Sequence, residues 1–341
     1  MNTSGFVKHG GALVALAIVS ACGGGSAVAP SSAAVNSFSY VGRTLSVNGR
    51  PVTAARPPGS LPHFEPFLPD LPKGVKKLEY VFNDYNTYTS IFDYPKSTKQ
   101  IGTLEAAGGQ GCTNVLYGFG KKIFWNVGGP TQITEYKVEK TPIKTLSVNY
   151  TFPSSCAMDA AGDLAVGILY NYSGTGGGDV VIFKNASGSG KVYTTPLDEE
   201  FFDGYDPKGD LFASGFTGDR SGFALVGLLN GTSKFVTINT SNSPQFPGSV
   251  QWDGKYVTLF DQYTNEVYQY TISGTKATLE GTVQLTGAGD CAQTWIVPGL
   301  IYCGDADYGD GAVFKYPAGG SPVAILSGSF DFPLGMTAAE K

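Results

Sequence analysis

Residues 205–213 read YDPKGDLFA: an aspartate, a glycine three positions later, a second aspartate, then an apolar run. The same phrase, worn to different degrees, recurs along the chain. It appears as YGFGKKIFW at 117–125, MDAAGDLAV at 158–166, QWDGKYVTL at 251–259 and WIVPGLIYC at 295–303. The glycines Gly120, Gly162, Gly209, Gly254 and Gly299 are separated by 42, 47, 45 and 45 residues. Glycine suits a tight turn because it reaches positive φ without steric cost. The Val, Ile, Phe, Tyr and Trp on either side favour strands. Each phrase therefore reads as a hairpin, and a unit of about 45 residues containing several short strands is the mark of a propeller-like array.

A second landmark follows each hairpin: TSIFDYP ending at Pro95, QITEYKV at Val138, DVVIFKN at Asn185, EVYQYTI at Ile272 and GAVFKYP at Pro317. It places Tyr94, Tyr136, Phe183, Tyr270 and Tyr316 in register, with FALVGLL (223–229) taking the place in the fourth unit. These aromatics are expected to fill the space between neighbouring sheets. Each unit then holds four strands, A to D, with A before the glycine turn, B after it, C ending at the aromatic and D a short outer run. Complete sets begin near Gly111, Ser154, Phe201, Pro247 and Asp290. LEYVFND (78–84), TSIFDY (89–94) and QIGTLEA (100–106) supply B, C and D without an A, and the tail FPLGMTAAEK (332–341) supplies an A alone. Pairing the two ends closes the ring and leaves no free edge. The expectation is an all-β, six-bladed propeller of four-stranded antiparallel blades over residues 75–341.

Ahead of it lie two segments of different character. Residues 1–22 carry Lys8 and His9, the apolar run ALVALAIVSA, and Cys22. The run is too short to span a bilayer and has the charged front of a secretory signal. Val19-Ser20-Ala21-Cys22 resembles the bacterial lipobox, which implies lipidation of Cys22 and a membrane anchor. Gly23, in place of Asp, favours outer-membrane delivery by the same resemblance. Residues 23–74 are rich in Gly, Ser and Pro, and read as a tether that lifts the propeller off the membrane.

An exported chain meets an oxidising compartment. Cys112, Cys156, Cys291 and Cys303 allow three pairings, and spacing does not choose between them. Cys112 and Cys156 occupy matching positions at the start of strand A in adjacent units. A turn on Pro298-Gly299 puts Thr294, not Cys291, opposite Cys303, so that pair needs an irregular hairpin. The only histidines are His9 and His63, both outside the repeats, so Ser–His and Cys–His nucleophiles are excluded there. A formal net charge of −5 without a Lys/Arg block excludes nucleic acid as a partner.

Because strands alternate in direction, B–C and D–A loops share one mouth of the ring, and A–B and C–D loops share the other. The first mouth receives the candidate ligand-binding carboxylates Asp84, Asp203, Asp261, Asp290, Asp305 and Asp331. The second receives Lys96, Lys121, Lys122, Lys140, Lys191, Lys208, Lys255 and Lys276. An acidic mouth attracts cations, Ca²⁺ among them, although Asp also simply favours turns.

D-x-x-G-D-L at Asp159–Leu164, D-P-K-G-D-L at Asp206–Leu211, VFKYPAGG (313–320) and VQWDGKY (250–256) resemble the NHL-repeat and gluconolactonase-like propellers. The resemblance implies the fold, and a divalent metal in the channel for the lactonases. Their Glu and Asn/Asp ligand set finds no residue-by-residue match in this chain. Two functions are expected from it: a non-catalytic binding module with a protein or glycan ligand, or a metal-dependent lactonase-like hydrolase.

Overall fold

The computed structural model describes residues 46–47, 50–51 and 76–340, the last range without 84–87, 106–109, 122, 128–131, 138–141, 149–152, 170–177, 218–221, 243, 329 and 331–332. The signal segment with Cys22, most of the tether, and the candidates Asp84 and Asp331 lie outside the described residues.

β1 (Ser46–Val47) and β2 (Arg50–Pro51) pair antiparallel. β3 (Lys77–Asn83), β4 (Tyr88–Phe92) and β5 (Gln100–Glu105) open the ring. The first blade then runs β6 (Gln110–Thr113), a two-residue β7 (Gly120–Lys121), β8 (Ile123–Val127), β9 (Gln132–Lys137) and β10 (Pro142–Ser147). The second blade is β11 (Pro153–Met158), β12 (Leu164–Ile168), β13 (Asp179–Phe183) and β14 (Lys191–Thr194). The third is β15 (Glu199–Tyr205), β16 (Leu211–Thr217), β17 (Gly222–Leu228) and β18 (Val236–Ile238). The fourth is β19 (Pro247–Trp252), β20 (Val257–Asp261), β21 (Glu266–Ser273) and β22 (Lys276–Gln284). The fifth is β23 (Cys291–Val297), β24 (Leu300–Asp305), β25 (Asp310–Lys315) and β26 (Ala324–Leu326). β27 (Pro333–Glu340) ends the chain.

Five of these sheets are four-stranded and antiparallel. The sheet that joins the chain ends is not. Its order is β5-β4-β3-β27-β7, because β7 lies parallel on the free edge of β27 with Gly120 opposite Ala339. The expectation of six four-stranded blades is thus corrected: the chain forms five, and its closing sheet takes a fifth strand. The cause is the long connection from β6 to β8, which carries Gly120 and Lys121 over to the neighbouring sheet's edge.

Burial follows position in the blade. β12 and β20 are buried along their whole length, since other blades cover both faces, so neither shows the alternation of a half-exposed strand. Outermost β10 and β14 are mostly exposed. Tyr136, Phe183, Tyr270 and Tyr316 are buried, as aromatics between sheets should be.

The repeated aspartate phrase is a structural staple. In the second blade Asp159 Oδ1 accepts from the N–H groups of Ala161 (2.9 Å) and Asp163 (2.8 Å), and Gly162 takes φ +93°. Asp163 Oδ1 then accepts from Asn185 N–H (2.8 Å) in the C–D loop. Asp206, Gly209 and Asp210 repeat the arrangement with Asn230 N–H (2.7 Å). The A–B and C–D turns therefore do meet at one end of the ring.

Cys112 is bonded to Cys156, joining the inner strands of the first two blades, and Cys291 to Cys303. Thr294 stands opposite Cys303, as the Pro298-Gly299 turn requires, and a bulge between Cys291 and Thr294 brings Cys291 into reach.

Candidate functional site: the channel and its mouths

The innermost strands β6, β11, β15, β19 and β23 line a central cavity of about 30 Å³. Its polar lining includes Thr113, Ser155, Asp203, Gln251, Gln293 and Thr294. Asp203 is the carboxylate among the lining residues. It is only 4% exposed, and neither carboxyl oxygen has a hydrogen-bond partner among the described residues. Burial pushes its pKa up to about 7, against a smaller downward pull from the nearby Ser155 hydroxyl.

Three residues earlier, Glu200 is fully buried at the seam of the second and third blades. Its oxygens accept from Ser154 Oγ (2.6 Å) and Ser155 Oγ (3.4 Å). Burial and then the charge of Asp203 hold its pKa well above the carboxylate range. Glycine makes this site possible: a Cβ on Gly167 would lie 1.9 Å from Glu200 Oε2, and one on Gly178 would lie 2.5 Å from Glu200 Cβ.

Glutamines tie the inner strands together. An amide side chain offers both a donor and an acceptor, which matches the free backbone edge of a strand. Gln293 Nε2 donates to Gly111 O (2.6 Å) while Gly111 N–H donates to Gln293 Oε1 (3.0 Å). Gln251 makes the same pair with Ile296, at 3.2 and 2.7 Å. The A–B end of the channel is crossed by residues 114–118. Gly118 N–H donates to Ile296 O (3.2 Å), and Trp295 Nε1 donates to Gly118 O (2.9 Å). Leu116 packs on the core beneath the second and third blades, and Tyr117 on that of the fifth.

Of the other predicted carboxylates, the described ones, Asp261, Asp290 and Asp305, do not join Asp203. Asp261, completely buried, accepts from the N–H groups of Gln245 (2.8 Å), Phe246 (3.2 Å) and Tyr263 (3.0 Å), binding its B–C turn to the D–A loop. Asp305 does the same with Gly289 N–H (2.7 Å) and Tyr308 N–H (3.2 Å), and burial raises its pKa to about 8. Asp290, crowded by protein atoms yet partly reached by solvent, is pushed to about 7 by burial and then by the charge of Asp307. Asp305 lies near Cys291 and Cys303, but both sulfurs are in a disulfide and offer no thiolate to a metal.

The segregation of charge is also redrawn. Asp159, Asp163, Asp206, Asp210 and Asp253 stand at the lysine end, so carboxylates occupy both ends. What is one-sided is lysine: the B–C and D–A connections contain none, and a single arginine, Arg220. Sequence reasoning missed Gln251, Gln293 and the channel-crossing segment. A signal for the last was present, since the first A–B connection spans 114–122 whereas its counterparts are 159–163 and 206–210.

No protein-family model matches the chain, and no curated protein does either. Solved structures do. One is that of a nidogen/laminin complex, at TM-score 0.59 and 10% identity, covering 77% of this chain and 98% of the other. Another is a candidate 6-phosphogluconolactonase from Bacteroides uniformis, at TM-score 0.49 and 13% identity, covering 74% and 84%. At these identities the likeness shows the fold, a β-propeller, and nothing of activity.

Proposed function

We propose that this is an exported, lipid-anchored β-propeller that binds a protein or glycan partner at its lysine-free mouth and performs no chemistry in its channel. The observation that carries the reading is the channel itself. A hydrolase needs several convergent ligands or a base beside its nucleophile. Among the described lining residues this channel offers one carboxylate, glutamine amides already committed to backbone, and room for about two waters.

The alternative is a metal-dependent lactonase-like hydrolase, and the unpartnered oxygens of Asp203 are what favours it. Ca²⁺ takes six to eight oxygen ligands. Asp203 with the unpartnered Thr113 Oγ1 falls short of that, so the donors do not fit such an ion.

Two experiments test the proposal. Alkyne-fatty-acid labelling in the native host is expected for the wild-type chain and lost in Cys22→Ser. A photo-reactive residue at exposed Tyr263, on the lysine-free mouth, is expected to cross-link an envelope component, whereas one at Lys208, at the other end, is not. Turnover of sugar lactones that disappears in Asp203→Ala would overturn the reading.

A further inference from the structure

We propose that the lysine end of the closing sheet is a membrane-facing surface, which takes up the anionic headgroups of the bilayer to which the chain is tethered. The orientation rests on the lipid anchor proposed above, whereas the lysine patch stands without it.

The patch follows from the topology. A strands end and B strands begin at the lysine end of the ring, so β27 ends there at Glu340 and β3 starts there at Lys77. β7 lies parallel on β27, which puts Lys121 opposite Glu340. β4 ends and β5 begins at the same end, with Lys96 and Lys99 in the connection between them. Lys99 is also bridged to Ser327 of the fifth blade. One sheet end thus carries Lys76, Lys77, Lys96, Lys99 and Lys121, across strands set about 4.8 Å apart. Lys315, where β25 of the neighbouring fifth blade ends, adds a sixth. All six are exposed. The Lys77 ammonium lies over the Phe119 ring, 4.1 Å from its centroid, which holds it beside β7.

These charges are not offset. Asp93 pairs with Lys96 (3.5 Å), and Glu340 stands between Lys77 and Lys121. Lys76, Lys77, Lys99, Lys121 and Lys315 have no ion pair among the described residues. Glu79, beneath them, is completely buried, and burial pushes its pKa up to about 8, so it stays protonated at neutral pH. The flanking loops at this end, 114–119, 298–299 and 316–323, contain no acid. The repeats supply a control. In the second and third blades Lys184, Lys191, Lys208 and Lys234 meet Asp159, Asp163, Asp206 and Asp210 at the same end, four against four. Those aspartates come with the A–B turn. The closing sheet has no A–B turn, because the two chain ends stand in its place, so it carries lysines without the staple.

The point of chain entry identifies the occupant. Residues 23–75 join the domain at Lys76, inside the patch, and lead back to Cys22. A tethered domain meets its anchoring surface first with the end that the tether enters, at a local concentration that free partners lack. Each lysine held against an anionic bilayer strengthens attachment roughly fivefold. A basic patch also supplies the second signal that makes an acyl anchor durable. In this orientation the lysine-free mouth faces away from the bilayer.

The test uses the chain purified from its host and mixed with phosphatidylcholine vesicles, with or without anionic phosphatidylglycerol. An amine-reactive ester read by mass spectrometry reports each lysine, and flotation reports attachment. On anionic vesicles Lys76, Lys77, Lys99, Lys121 and Lys315 are expected to label about fivefold more slowly than on neutral ones, with Lys208, Lys234 and Lys276 unchanged. Molar salt, or Lys99→Glu combined with Lys121→Glu, should remove that protection. Both lysines are exposed, so the variant folds. Flotation separates the patch from the anchor: a chain that floats on anionic vesicles alone, and not as the double variant, keeps the patch and refutes the anchor. Equal labelling on both vesicles, as when the tether's own Glu65 and Asp70 cover the lysines, would overturn the proposal. So would protection that extends to Lys208 and Lys234, or that survives the double variant.

Discussion

Replacing Asp203 by asparagine should make the protein more stable at pH 8 and leave it nearly unchanged near pH 3.5. The wild-type carboxyl lies in the channel with no partner, and its pKa rises from an ordinary 3.8 to about 7. The folded state therefore holds this proton more tightly than the unfolded chain does. The stability contributed by the protonated group is complete below 3.8. It is lost as pH rises, at about 1.36 kcal/mol per pH unit, until the folded group ionises near 7. The loss across that window is about 4 kcal/mol, and asparagine, which does not ionise, avoids it. Near pH 3.5 both side chains are neutral, and the variant should be equal or slightly weaker because its amide hydrogens need acceptors. Denaturant melts of both proteins from pH 3.5 to 9 give the difference curve directly. A flat difference would mean that the carboxylate has a partner in the channel. A variant that loses stability as pH rises would mean that the partner is a cation.

Gly167→Ala should destabilise by about 1–3 kcal/mol, because its methyl would overlap Glu200 Oε2. Glu200→Ala in the same chain should recover part of that loss, a coupling that chemical denaturation of the four proteins measures. Removing Cys112–Cys156 by double serine substitution should cost about 4 kcal/mol and removing Cys291–Cys303 about 3 kcal/mol, since the first closes a separation of 44 residues and the second 12; equal costs in urea melts would contradict this order. Phe183→Ala, which empties a fully buried position between blades, should cost about 3–5 kcal/mol, whereas Val192→Ala on the exposed outer strand should cost under about 0.5 kcal/mol.

The strand order was legible because it rests on local, repeated chemistry. Each glycine turn sits between runs that can only be strands, and the incomplete sets at the two ends complement each other. The inner strands begin at Gln110, Pro153, Glu199, Pro247 and Cys291, within two residues of where the repeat places them. The fifth strand of the closing sheet was not legible, since two residues carry no periodicity and Gly120 reads as another turn glycine. The site was legible only in part. Composition marks Asp203, Asp261 and Asp305 as equal members of an acidic mouth. The side-chain direction that separates them depends on register: Asp203 lies mid-strand in the channel, while the other two end a B strand and fold back on their own loops. Gln251 and Gln293 looked like ordinary strand polars because their partners are about 45 and 182 residues away.

The central proposal is that the narrow channel binds no metal and carries no reaction. Thermal melting of the protein, first in chelator and then across millimolar Ca²⁺, tests it most directly, because a ligand bound only by the folded state raises stability by mass action. The account predicts no saturable shift in either the wild type or Asp203→Ala. A saturable rise that vanishes in Asp203→Ala would contradict it and make the channel a metal site.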